Sequence, residues 1–113
     1  MAAGSMWSFD IHHEAGAYVW RLWASDGHIA AAPPEPFQSR YAAHRAAEKL
    51  AETGIDLKVA TFADPESGHH RWRFDHPQTG DPLALGFERY KTPDEARTAG
   101  ESARHQTAMA GVM

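Results

Sequence analysis

The chain has 113 residues, 42% hydrophobic and 23% charged, with a formal net charge of −4 and no cysteine, so disulfides, a thiolate nucleophile and cysteine-based zinc sites are excluded. Residues 1–54 carry four basic and six acidic groups and residues 55–113 carry seven and nine, an even spread that provides no global basic field for nucleic acid or an anionic membrane. The length suits one compact domain or two half-sized units sharing a core, and no apolar run approaches the roughly eighteen residues of a membrane span.

From the N-terminus, Met1–Met6 shows no structural pattern and is expected to be flexible. Trp7, Phe9 and Ile11 then alternate with Ser8, Asp10 and His12, the period of a half-buried strand. A turn at 13–16 leads to a second strand. Tyr18, Trp20 and Leu22 share one of its faces, and Val19, Arg21 and Trp23 share the other. The run Ser25-Asp26-Gly27 is a hairpin turn, because Asp-Gly readily supplies positive φ. A short strand at 28–32 follows and ends at Pro33-Pro34-Glu35-Pro36, since proline cannot donate to a ladder. Ser39 is a good N-cap for a helix whose buried stripe is Ala43, Ala46, Ala47 and Leu50, and Gly54 ends it.

The same order of signals recurs. At an offset of 52, residues 14–21 (EAGAYVWR) lie over 66–73 (ESGHHRWR) with four of eight positions identical. After one added turn residue, 37–48 lie over 90–101 at an offset of 53 with three of twelve identical. Internal repetition of this kind predicts a duplicated structural unit. In the second unit, 55–63 is a strand of ambiguous phase, with Leu57, Val59 and Thr61 competing with Phe62. His70, Trp72 and Phe74 correspond to Tyr18, Trp20 and Leu22, and 83–87 is a third strand. Thr92, Pro93 and Glu95 form a capping box with proline at the first helical position. Ala96, Ala99, Gly100 and Ala103 give a small-residue stripe. The helix is expected to fray near His105, leaving 107–113 as a loose end.

Gly16, Tyr18, Trp20, Arg21, Leu22, Gly27, Ile29, Phe37 and Ser39 together resemble the repeat of the YegP-like family of small bacterial and archaeal proteins, mostly of unknown function. Gly68, Trp72, Arg73, Phe74, Gly80, Tyr90 and Thr92 echo it. The resemblance spans roughly 7–106. It departs at 33–36 and 86–89 and in the longer middle turn of the second unit. It implies β(3)-α units joined in one antiparallel sheet, with exchange of the strand after each helix, and it implies no catalytic residues.

The expected fold is therefore α+β: two tandem β(3)-α repeats, 7–54 and 55–106, forming one pseudo-twofold antiparallel sheet with both helices on one face. Chemistry-bearing motifs are sparse. The eight histidines include the pairs His12-His13 and His69-His70, but adjacent strand residues point to opposite faces and there is no HExxH or His-x-His. No metal site or cofactor is expected. No nucleophile elbow, Walker loop or dinucleotide fingerprint occurs, and Glu14 and Glu66 read as turn acids. No enzyme activity and no small-molecule substrate are expected. The candidate binding surface is Val19, Arg21, Trp23, Arg71 and Arg73, which project away from the tryptophans beneath the helices. The expected function is a cytoplasmic interaction module binding a protein or itself, with no membrane association. The alternative is nucleic-acid binding through arginine and tryptophan on an open sheet, against an arrangement in which these groups cover one another with Asp10 or Asp75 as partners.

Overall fold

A computed structural model describes residues 6–112. The strands are β1 (Ser8–Glu14), β2 (Ala17–Trp23), β3 (Ile29–Ala32), β4 (Lys58–Ala63), β5 (His70–Asp75), β6 (Pro82–Gly86) and β7 (Gly111–Val112). The helices are α1 (Arg40–Thr53), continued by a short 3₁₀ turn at Gly54–Asp56, and α2 (Pro93–Met109). The protein is mixed α+β, with one seven-stranded sheet in the order β4-β5-β6-β3-β2-β1-β7. Two meanders, β1-β2-β3 and β4-β5-β6, meet where β3 pairs antiparallel with β6 through Ala31–Gly86 and Ala32–Leu85. Phe87 N–H donates to the Ala30 carbonyl at 3.0 Å across the same seam.

The turns form as their residues require. Ala15 and Gly16 both have positive φ, 51° and 83°, which is the geometry of a two-residue hairpin between β1 and β2. The corresponding connection from β4 to β5 is longer. There, Asp64 caps its own turn by accepting from Ser67 Oγ at 2.9 Å, while its N–H donates to the His69 carbonyl at 2.7 Å.

Phe9, Trp20, Leu22, Leu57, Trp72 and Phe74 form the centre of one buried cluster with Ala47 and Leu50 of α1 and Ala103 of α2. Burial of each large side chain contributes about 1.5–3 kcal/mol. The alanine and glycine stripes let the helices approach closely. Ala43, Ala47 and Ala96 are fully buried. At Gly100 an added Cβ would lie 2.7 Å from Val59 and 2.9 Å from Trp72. The ambiguous phase of β4 resolves in favour of Leu57 and Val59, because Val59 pairs with the core residue Phe74 and Phe62 pairs with Arg71 on the other side.

Three expectations are corrected. The sheet has a seventh strand, and β7 runs parallel to β1, pairing beside Ser8 and Phe9, so the sheet is not wholly antiparallel. The helix does not fray near His105. It continues to Met109 because Thr107 is fully buried and its hydroxyl donates to the Ala103 carbonyl at 2.8 Å. Residues 107–112 are thus ordered structure, not a loose end; Ala110 and Val112 pack against the core. Of the N-terminal lead, residues 1–5 lie outside the described residues, as does Met113.

Candidate binding face

Strand alternation puts Trp20 and Leu22 of β2, and Trp72 and Phe74 of β5, into the core, so their neighbours emerge on the opposite face. The five residues singled out in the sequence are all half-buried and all lie there: Val19, Arg21 and Trp23 on β2, Arg71 and Arg73 on β5. Two strands, β3 and β6, separate β2 from β5. At roughly 4.8 Å per strand the two groups stand about 14 Å apart, so the face carries two clusters, not one.

In the first cluster, β1 lies directly across from β2, pairing Asp10 with Arg21, His12 with Val19 and Ser8 with Trp23. The indole Nε1–H of Trp23 donates to Asp10 Oδ1 at 2.8 Å. His12 Nε2 lies 3.1 Å from the same carboxylate oxygen, and its ring is tilted against Trp23 at 6.3 Å. Arg21 is paired with Glu14. In the second cluster, the Arg71 guanidinium lies 5.3 Å over the Phe62 ring, and its Nε donates to the Gly86 carbonyl at 2.7 Å. Arg73 Nε donates to Asp75 Oδ1 at 2.9 Å. Leu85 pairs with Arg73 and adds apolar surface between the clusters.

Each arginine of the face therefore has an intramolecular acceptor, and Asp10 and Asp75 are the partners of Trp23 and Arg73. A half-buried ion pair of this sort fixes side-chain geometry more than it stabilises the fold. What the face offers a ligand is half-buried apolar surface at Val19, Trp23, Phe62 and Leu85, beside guanidinium groups that are each held by one intramolecular bond.

Other chemistry-bearing residues lie elsewhere. His13 stacks on Tyr18 at 4.6 Å. His28, in the β2–β3 turn, lies 2.5 Å from Asp26 and 3.0 Å from Glu88, joining the two halves of the chain. Among the described residues no group of three or more His, Asp or Glu side chains gathers in metal-binding geometry. Two features escape the sequence patterns. The first is the pair of Asp64 with Arg89, in which the guanidinium, followed by Ser67, holds a buried carboxyl below its ordinary range. The two residues are 25 apart in sequence, and only the acid-rich turn at 64–68 hints at it. The second is a cleft of about 700 Å³ over Trp20, bounded by Pro33–Phe37, Leu50 of α1, the β5–β6 turn and Leu83 of β6. Its only signal in the sequence is the proline run. Lys49, Glu35 and Asp81 are the charged residues that line the cleft.

No family model matches the chain, and no curated protein matches it in sequence. Two solved structures share its architecture. YegP from E. coli, described as a protein of unknown function, superposes with a TM-score of 0.72 at 12% identity, over 95% of this chain and 90% of that one. A UPF0339 protein from Shewanella oneidensis gives a TM-score of 0.73 at 9% identity, over 94% of this chain and 88% of that one. The fold is that of the YegP-like proteins, as the residue pattern of β2 and its following turn implied.

Proposed function

We propose that the chain is a non-enzymatic interaction module that binds a partner protein through the sheet face opposite its buried core. Two further readings underlie this. The chain is a tandem duplication of a β(3)-α unit, supported by the echoed segments at 14–21 and 66–73 and by the inverted strand order about the β3–β6 seam. Both helices lie on one face, supported by the single cluster that Ala47, Leu50 and Ala103 share with both core tryptophans. The other face is then free of helices. We assign the protein to the cytoplasm on the same footing; no helix among the described residues is long and apolar enough to cross a membrane.

The observation that carries the reading is the engagement of the arginines. A surface for phosphates presents cationic groups whose charge is available to the backbone. Here Arg21 is paired with Glu14 and Arg73 with Asp75, while Arg71 is bonded to the Gly86 carbonyl. A surface for protein instead uses aromatic and aliphatic groups at its centre, rimmed by satisfied polar groups. Trp23, Val19, Phe62 and Leu85 among these pairs match that description. The nucleic-acid reading rests on the same Trp and Arg residues and requires the pairs to open.

Photo-cross-linking in the native cell tests the proposal. A photoreactive residue at Val19 or Leu85 is expected to capture one discrete protein, while the same group at Tyr41, exposed on α1, captures none. Equal capture from both sides, or capture only from Tyr41, contradicts the assignment.

A further inference from the structure

We infer that the outer edge of β4 is a self-association site, where a second copy of the chain adds its own β4 antiparallel about a twofold axis at Phe62. The inference concerns a strand edge, which borders the open face at Phe62, and it does not rest on the proposed function. It begins with the direction of main-chain groups. His70 and Tyr90 exchange N–H···O bonds of 2.7 Å in each direction, so His70, Trp72 and Phe74 direct their main-chain groups away from β4. Alternation then turns Arg71, Arg73 and Asp75 toward β4. Their partners there are Phe62, Ala60 and Lys58. Val59, Thr61 and Ala63 are left with N–H and C=O pointing outward. Two arginines of α2 bear this out: Arg104 Nη1 donates to the Leu57 carbonyl at 3.1 Å and Arg97 Nη1 to the Val59 carbonyl at 3.3 Å.

The arginines cover the edge only as far as Val59. Beyond it, no strand among the described residues pairs with Thr61 or Ala63 on the outer side. Sheet edges are ordinarily protected by charge, proline or a bulge. The segment Val59–Ala63 (VATFA) has none of these. The opposite end of the sheet differs: β7 pairs beside Ser8 and Phe9, and the rest of β1 carries Asp10, His12, His13 and Glu14.

An open edge is complementary to another strand, and of the twofold registers open to this edge the one centred on Phe62 leaves the Val59 carbonyl to Arg97. With the axis at Phe62, Thr61 of each copy exchanges both main-chain bonds with Ala63 of the other, making four in all. Phe62 meets its counterpart in the closer, non-hydrogen-bonded pair, on the face where Arg71 already covers its ring. Val59 falls opposite Pro65 of the second copy. Proline has no N–H to offer, so the Val59 carbonyl held by Arg97 forgoes nothing. The ladder is short, and the association is correspondingly weak and concentration-dependent.

Because the chain lacks cysteine, single-cysteine variants read the register directly. A non-hydrogen-bonded antiparallel pair has Cα atoms about 4.5 Å apart, within disulfide range. Under mild oxidation Phe62→Cys is expected to form a covalent dimer, whereas Ala60→Cys, whose counterpart would face Asp64, is not. In sedimentation equilibrium from micromolar to millimolar concentration the unmodified chain is expected to rise toward dimer mass. Ala63→Pro removes an outward N–H without touching the β4–β5 ladder and is expected to weaken association about tenfold or more. Phe62→Glu, which can still pair with Arg71, is expected to remain monomeric with unchanged circular dichroism. Arg97→Ala is expected to leave association unchanged. A constant monomer mass, equal cross-linking of the two cysteine variants, or undiminished association of both Ala63→Pro and Phe62→Glu overturns the inference. Substitutions at Val19 or Trp23 leave association intact, so the edge and the face fail or succeed separately.

Discussion

At the scale of single residues, glycine and aspartate positions decide more than their composition suggests. Gly86 has ordinary backbone geometry, yet a Cβ there would sit 2.4 Å from the Trp72 ring. Gly86→Ala is therefore expected to destabilise the protein by about 1–3 kcal/mol through overpacking, measured as a fall in the urea unfolding midpoint. Gly80→Ala would meet no neighbouring atom, and its cost comes from positive φ alone. Asp64 gives a pH-dependent prediction. Arg89, and after it Ser67, hold its carboxyl below the ordinary carboxylate range. A depressed folded-state pKa contributes stability that is present above the unfolded value, about 4, and is lost as pH falls through the folded value. Asp64→Asn is expected to be less stable at neutral pH and to flatten that acid limb, which unfolding midpoints across the acid range would show. An unchanged acid limb would assign the pH dependence to other carboxylates.

At the scale of elements, patterned segments were readable and unpatterned ones were not. The alternation of Trp20 and Leu22 with Val19, Arg21 and Trp23 announced β2 and its two faces. The capping box at Thr92 was equally plain: Glu95 N–H donates to Thr92 Oγ1 at 3.1 Å, and Thr92 N–H returns to Glu95 Oε1 at 3.3 Å. Thr92→Ala is expected to cost about 1 kcal/mol in chemical denaturation. The end of α2 could not be read. Its last turn depends on burial of Thr107, and β7 depends on pairing with Ser8 and Phe9 more than a hundred residues away, which no local pattern encodes. Removal of Gly111–Met113 is expected to speed amide exchange of Phe9, whose outward main chain then faces water, while Arg71 and Arg73 exchange as before. Equal acceleration in β1 and β5 would indicate global destabilisation instead. The phase of β4 was undecidable from sequence because Val59, Thr61 and Phe62 are all strand formers. Only the register with β5 assigns them to faces.

At the scale of the whole molecule, the strand alternation that buries Trp20 and Trp72 also sets the direction of the candidate residues. Once Trp20 and Trp72 are buried, Arg21 and Arg73 must emerge opposite. What the pattern could not convey is how those arginines are occupied, because Glu14, Asp75 and the Gly86 carbonyl meet them only in the folded sheet. The two halves also pack their tryptophans differently. Trp20 sits edge-on to Phe9 at 5.4 Å, whereas Trp72 tilts against Phe74 at 4.7 Å beneath Gly86 and Gly100. The difference follows from β4, with Val59 where β1 has Phe9, and from β5, with Phe74 where β2 has Leu22. The central functional claim is that this face recognises protein with its arginines already engaged. The most direct test is anisotropy of a labelled single-stranded oligonucleotide, titrated with the protein at low and at physiological salt. The account predicts no saturable binding at either. Saturable binding that weakens steeply with salt and disappears in the Arg21→Ala, Arg73→Ala double variant would contradict it.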